Sequence, residues 1–177
     1  MDDIIDGIII LSPFIFWFII FIVRDYFRAK EKERDREERK KSAIDAAKFI
    51  EGQMISSRYE AANAVSWVLK YFHNIHLESI VVFYLNETNT CVEAVVRFGN
   101  EQSVNFPTEE ICSMAQTKGA SKLVIAHNHP RNRSTPSDND IYFAVDLLQN
   151  DCMYNLEILD NLVWCNNGLK SIHNTLR

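Results

Sequence analysis

Two histidines one residue apart, His127 and His129, close a short apolar run, and Ser137 and Asp140 follow within the segment "HNHPRNRSTPSDND" of residues 127 to 140. In an extended strand residues i and i+2 point to one face, so the two imidazoles present together while Asn128 turns away. Zinc takes nitrogen, sulfur or carboxylate ligands, and a catalytic zinc keeps three protein ligands and leaves its fourth position to water. Asp140 is the natural third ligand. The ten residues between His129 and Asp140 give the chain room to turn back.

The second half of this pattern has a structural reading as well. Ser137 and Asp140 themselves spell the S-x-x-D capping box of a helix start. A cap two residues earlier reads better: Thr135 as N-cap, Pro136 at the first helical position, and Asp138 three residues after Thr135. That cap leaves Ser137 and Asp140 free, three apart on one helical face and able to look at the same ion.

The elements that must position these residues follow from local pattern. Residues 78 to 85 ("ESIVVFYL") and 90 to 98 ("TCVEAVVRF") are β-branched and aromatic runs joined by "NETN", which predicts a hairpin, and "SVNF" continues it after "GNEQ". Pro107 opens a helix with Glu109 and Glu110 in its first turn, and Gly119 lies near its end. "KLVIAHNH" is a strand, "PRNRSTP" a loop, and Ser137 to about Asn150 a helix. "YNLEILDNLVWC" and "LKSIHNTL" are two strands joined by an Asn-Gly type of turn at "NNG". Residues 42 to about 72 carry a broad apolar helical face with a break near Gly52 and Ser56–Ser57. Helices and strands interleave around one sheet, so the fold class is α/β or α+β.

Ahead of this body, residues 7 to 23 ("GIIILSPFIFWFIIFIV") carry no charge, and Ile4 and Ile5 extend the apolar stretch. That is close to the roughly 20 residues that span a hydrocarbon core. The start "MDDIID" is not basic and no small residues mark a cleavage site, so a transmembrane helix is expected over residues 4 to 23 rather than a signal peptide. Nine Lys or Arg lie between Arg24 and Lys41 and none precedes the apolar segment. The positive-inside rule then places the chain single-pass in the cell membrane, N-terminus outside and body in the cytoplasm. Residues 28 to 41 ("RAKEKERDREERKK") space opposite charges three apart and predict a solvated helical spacer. The expected organisation is an anchor over 1–27, a spacer over 28–41 and a globular domain over 42–177.

The first 41 residues hold nine acidic and nine basic side chains, so the whole net charge of −5 belongs to the domain that follows. An acidic body counts against nucleic acid as a partner, because such binding rests on phosphate neutralisation. Cys91, Cys112, Cys152 and Cys165 form no C-x-x-C pair and read as small apolar residues.

H-x-H-P, a short loop and S-x-x-D together resemble the JAMM signature of the JAB/MPN metalloproteases, and "AHNHP…TPSDNDI" is most similar to their bacterial RadC branch. The resemblance covers roughly residues 55 to 177, including "ESIVVFYLN", "FPTEEI" and "EILDNLV". It implies a JAB/MPN-like mixed β-sheet flanked by helices, with Zn2+ held by His127, His129 and Asp140. It further implies Ser137 as stabiliser of a tetrahedral intermediate and an upstream glutamate, matched by Glu78, as general base. Independent chemistry agrees: a base must take a proton from water and hand it to the leaving amine, and a hydroxyl can donate to an oxyanion. Glu93, inside an apolar run, is the second choice for the base. Two departures stand out: Arg131–Asn132 where the branch usually has Ser-Gly, and Asp160–Asn161 where it usually has Asp-His.

The expected activity is zinc-dependent hydrolysis of a peptide or isopeptide bond, with a protein or peptide substrate that extends to ubiquitin-like conjugates. A non-catalytic scaffold and an association with DNA metabolism are the competing readings.

Overall fold

The computed structural model describes residues 2–72, 75–130, 135–165 and 168–172, without the side chains of 2–13, 151–153 and 165. Packing divides the chain into two compact units, residues 1–38 and 39–177. A long helix, α1 (Asp2–Lys48), opens the chain. Among the described residues no helix is long and apolar enough to cross a membrane. This overturns the expected anchor over residues 4 to 23, and the single-pass membrane placement falls with it. The charged stretch is helical as its spacing predicts, with an i,i+4 pair between Arg34 and Glu38 at 3.9 Å.

In the second unit, α2 (Arg58–Leu69) follows a break after Lys48, and Ser57 caps it by accepting the Glu60 N–H. Then come β1 (Ser79–Leu85), β2 (Cys91–Phe98), α3 (Thr108–Lys118), β3 (Lys122–Asn128), α4 (Asp138–Tyr154), β4 (Glu157–Cys165) and β5 (Gly168–Ser171). They build one mixed five-stranded sheet in the order β2-β1-β3-β4-β5, flanked by helices, as the interleaved pattern predicts. β1 pairs antiparallel with both β2 and β3, and β3 pairs parallel with β4 through the α4 crossover.

Alternation along the central strands sorts the core into two layers. Val81, Phe83, Leu85, Val124 and Ala126 pack with Ala43, Ala47, Val65, Val68 and Leu69 from the end of α1 and from α2. Ile80, Val82, Tyr84, Leu123 and Ile125 pack with Ile111, Cys112, Ala115 and Leu147 from α3 and α4. Every residue of β1 is buried, which is why its sequence is a continuous apolar run rather than an alternating one.

Three local expectations are corrected. "SVNF" is not a strand: Asn100 Oδ1 accepts the backbone N–H groups of Gln102 and Ser103, and Asn100 N–H donates to the Ser103 carbonyl at 2.9 Å, so the chain folds back as a turn. Residue 154 ends α4 rather than opening the next strand. The helix after the loop is capped by Ser137, not Thr135, because the Ser137 hydroxyl accepts the Asp140 N–H and its carbonyl accepts the Ile141 N–H. Asn166 and Asn167 of the expected turn, and residues 173–177 of the last expected strand, lie outside the described residues.

Candidate metal centre

His127 and His129 share parity with Leu123 and Ile125, so both imidazoles face α4. They stand at the carboxyl end of β3, where a parallel strand hands over to its crossover helix and open α/β sheets place their ligands. Asp140 sits in the first turn of that helix. The three side chains converge: His127 Nε2 lies 3.0 Å from Asp140 Oδ1, His129 Nε2 lies 3.1 Å from Asp140 Oδ2, and the two Nε2 atoms are 3.2 Å apart. All three residues are buried.

The donor set fits a cation better than it fits protons. With Asp140 ionised, each of its oxygens calls for a hydrogen on the facing Nε2, but two such N–H groups then stand side by side at 3.2 Å with no acceptor between them. With one hydrogen removed, a nitrogen lone pair faces a carboxylate lone pair. No assignment of hydrogens satisfies all three contacts, whereas one positive ion satisfies them together. A tetrahedral zinc with bonds of about 2.0 to 2.2 Å holds neighbouring ligand atoms roughly 3.3 Å apart, within a few tenths of the separations found here.

The capping box and the ligand set turn out to be the same structure. Asp140 Oδ2 accepts the Ser137 backbone N–H at 2.6 Å and lies 2.7 Å from the Ser137 hydroxyl, which in turn accepts the Asp140 N–H at 3.3 Å. Ser137 is therefore the cap of α4, and its own carbonyl accepts the Ile141 N–H. Capping does not divert Asp140 from the histidines, because a carboxylate has two oxygens and enough lone pairs to serve both. Burial alone pushes the Asp140 carboxyl up, but hydrogen bonds from His127, His129 and the Ser137 N–H together hold it well below the usual carboxylate range.

Glu78 joins the same site. It shares the parity of Ile80 and Val82 and so faces α3 and α4. Ile80 pairs with His127 across β1 and β3, and extending that register by two residues sets Glu78 opposite His129. Its backbone is tied to the turn beyond β2, donating to the Asn100 carbonyl at 2.7 Å and accepting the Gly99 N–H at 2.8 Å. Half-burial raises the Glu78 pKa, with nearby Asp140 acting in the same direction and His127, His129 and the Val104 backbone N–H acting against it. Glu93, the second choice, is elsewhere: it pairs across the strands with Tyr84 and forms an ion pair with Lys118 at 2.7 Å. Glu110 is engaged with Arg97.

Glu78, His127, His129, Ser137 and Asp140 line one cleft of about 240 Å³ whose apolar wall is Ile80, Val104, Phe106 and Phe143. Sequence pattern missed Val104 and Phe106 because it read their segment as a strand; Gly99–Asn100 with Ser103 nearby was the available turn signal. It also gave Asn128 no role. Arg131 and Asn132 lie outside the described residues.

Residues 55–176 match the family model described as a RadC-like JAB domain. The chain is 32% identical over 110 residues to a UPF0758 protein of Clostridium novyi, covering 62% of this chain and 47% of that one. It is 32% identical over 87 residues to a UPF0758 protein of Aquifex aeolicus, covering 49% and 38%. With one of Enterococcus faecalis it shares 26% over 133 residues, covering 74% and 53%. The chain thus spans about half the length, or less, of these curated relatives. A match over that much of the chain, joined to the converging histidines and aspartate, settles the family: this chain belongs to the RadC-like JAB domain family.

Proposed function

We propose that this protein is a zinc-dependent hydrolase that cleaves a peptide or isopeptide bond, with a protein or peptide as substrate. The observation that carries this reading is the convergence of three ligand side chains, each within 3.2 Å of the next, on the wall of a cleft that Glu78 and Ser137 also line. His127, His129 and Asp140 would hold the ion. A bound zinc supplies Lewis acidity, bringing the pKa of water toward about 7 and polarising a carbonyl.

The chain's own residues supply the rest. Glu78 is the proton carrier: a carboxyl whose pKa is raised by burial is a stronger base than an exposed one, so it takes a proton from water more readily and remains acidic enough to pass it to a leaving amine. Ser137 first orients Asp140, and a substrate carbonyl competes with Asp140 Oδ2 for its hydroxyl proton. The apolar wall of Ile80, Val104, Phe106 and Phe143 keeps bulk water from one side of the cleft and offers a surface to an apolar side chain next to the scissile bond.

Metal analysis of the purified full chain tests this reading. About one zinc per chain is expected, with loss in His127→Ala. Incubation with an unfolded protein and with isopeptide-linked ubiquitin-like conjugates should give cleavage that a chelator and Glu78→Gln both stop. A wild-type chain without zinc overturns the proposal and leaves a binding module.

A further inference from the structure

Between the two histidines, Asn128 points to the opposite face of β3 and is 4% exposed. Its Oδ1 accepts the Ser79 backbone N–H at 2.7 Å, and its Nδ2 donates to the Leu77 carbonyl at 3.1 Å. Those are the two peptide groups that flank Glu78. The backbone ladder between β1 and β3 begins only at Ile80 and His127. Ahead of it, the carboxamide takes the place of the next rungs and binds the chain on both sides of Glu78. The turn at Gly99 and Asn100 holds Glu78 from the β2 side.

We infer that Asn128 is the positioning residue for Glu78: one side chain, rooted between the two imidazoles, sets how far the carboxylate stands from them. This rests on the hydrolase reading above for its chemical purpose, though not for its geometry. The side-chain type follows from the task. The site needs one acceptor and one donor on a short, planar, uncharged fork, which a carboxamide provides. Aspartate offers only acceptors when ionised, serine cannot reach both peptide groups, and glutamine is a methylene too long. Because the imidazoles and the carboxamide leave the same strand in opposite directions, a shift of β3 carries ligand set and base together. Their spacing therefore survives motions of the sheet. A misplacement of about 1 Å in such a group can lower a rate a hundredfold, which is the scale of protection the clamp gives.

The test uses the full chain loaded with zinc, as wild type, Asn128→Ala and Asn128→Asp, with crystal structures, metal analysis and hydrogen exchange at the Ser79 amide. Asn128→Ala should keep about one zinc per chain, move the Glu78 carboxylate by about 1 Å or more, and cut Ser79 amide protection at least roughly tenfold. If Asn128→Ala does not fold, Asn128→Asp replaces it, since it keeps the acceptor for Ser79 and loses the donor for Leu77. On a cleaved substrate, kcat should fall with KM unchanged, and Glu78→Gln with Asn128→Ala should be no slower than Glu78→Gln alone. Glu78 staying in place, or zinc lost together with Asn128, overturns the inference. A wild-type chain without zinc overturns the hydrolase reading instead, and the displacement of Glu78 in the metal-free crystals still decides the clamp.

Discussion

Ser137 and Asp140 bind each other reciprocally, each side chain accepting the other's backbone N–H, at 2.6 Å to Asp140 Oδ2 and 3.3 Å to Ser137 Oγ. The same Asp140 carboxylate faces both histidines. Helix start and candidate ligand set are one arrangement, in which the cap fixes the Asp140 rotamer that faces the two imidazoles.

Removing the Ser137 hydroxyl should therefore register twice. Ser137→Ala is expected to cost about 1 kcal/mol of stability as a lost N-cap, measured by denaturant titration of the metal-free chain. It should also weaken zinc by roughly tenfold, the low end for losing a group that orients a ligand, measured by competition with a chelator. Ser137→Thr should restore most of both. Zinc affinity unchanged in Ser137→Ala would separate the cap from the site.

Glu78 gives a pH-dependent prediction. Its folded pKa is raised, chiefly by burial, so the folded chain is relatively favoured below the ordinary glutamate range and loses that advantage as pH rises through the raised value. Glu78→Gln removes the ionisation. The metal-free variant should melt higher than wild type at pH 7, and the difference should shrink toward zero below about pH 4.5. A wild type that melts higher than Glu78→Gln at pH 7 would contradict this.

Gly99 has no room for a side chain. A Cβ built there would stand 2.0 Å from the Ser103 carbonyl oxygen and 2.6 Å from Val104 Cα. Gly99→Ala must open the turn that holds the Glu78 backbone and brings Val104 into the same cleft, with an expected loss of about 1 to 3 kcal/mol, the range for forced overpacking. Denaturant unfolding reads the loss, and cleavage should fall even where zinc content is unchanged.

Asn161 is 2% exposed, and neither its Oδ1 nor its Nδ2 has a hydrogen-bond partner among the described residues. It pairs with Ile125 across the parallel strands and so faces the apolar layer beneath α3 and α4. A buried amide without partners is destabilising by about 1 to 3 kcal/mol. Asn161→Leu, similar in branching, should raise stability by about 1 kcal/mol or more, read as a higher denaturation midpoint at unchanged slope. A lower midpoint would show that the amide has a partner in solution.

Much of the sheet was readable because its signals are local. The β-branched runs became β1 and β2, the i,i+2 rule put His127 and His129 on one face, and Pro107 and Gly119 bracketed α3. The failures are equally specific. "SVNF" has strand composition, yet the Asn100 side chain folds it back, a competition between side-chain and ladder hydrogen bonds that composition does not resolve. The apolar N-terminal stretch looked long enough for a bilayer, but no described helix is long and apolar enough to cross one.

What the sequence determined by itself was the inventory and its spacing: two imidazoles in phase on a strand, a Ser and an Asp three apart at a helix start, and alternating apolar faces that demand helices on both sides of a sheet. Those depend on backbone periods of 2 and 3.6, which are local. Only the tertiary structure decided that the Asp140 carboxylate bound by the Ser137 cap also faces both histidines, that Glu78 rather than Glu93 lines their cleft, and that Asn128 grips the chain on both sides of Glu78. These depend on the pairing of β1 with β3 and the seating of α4 on that face. Register between strands 49 residues apart at Ser79 and Asn128 is a property of the packed whole.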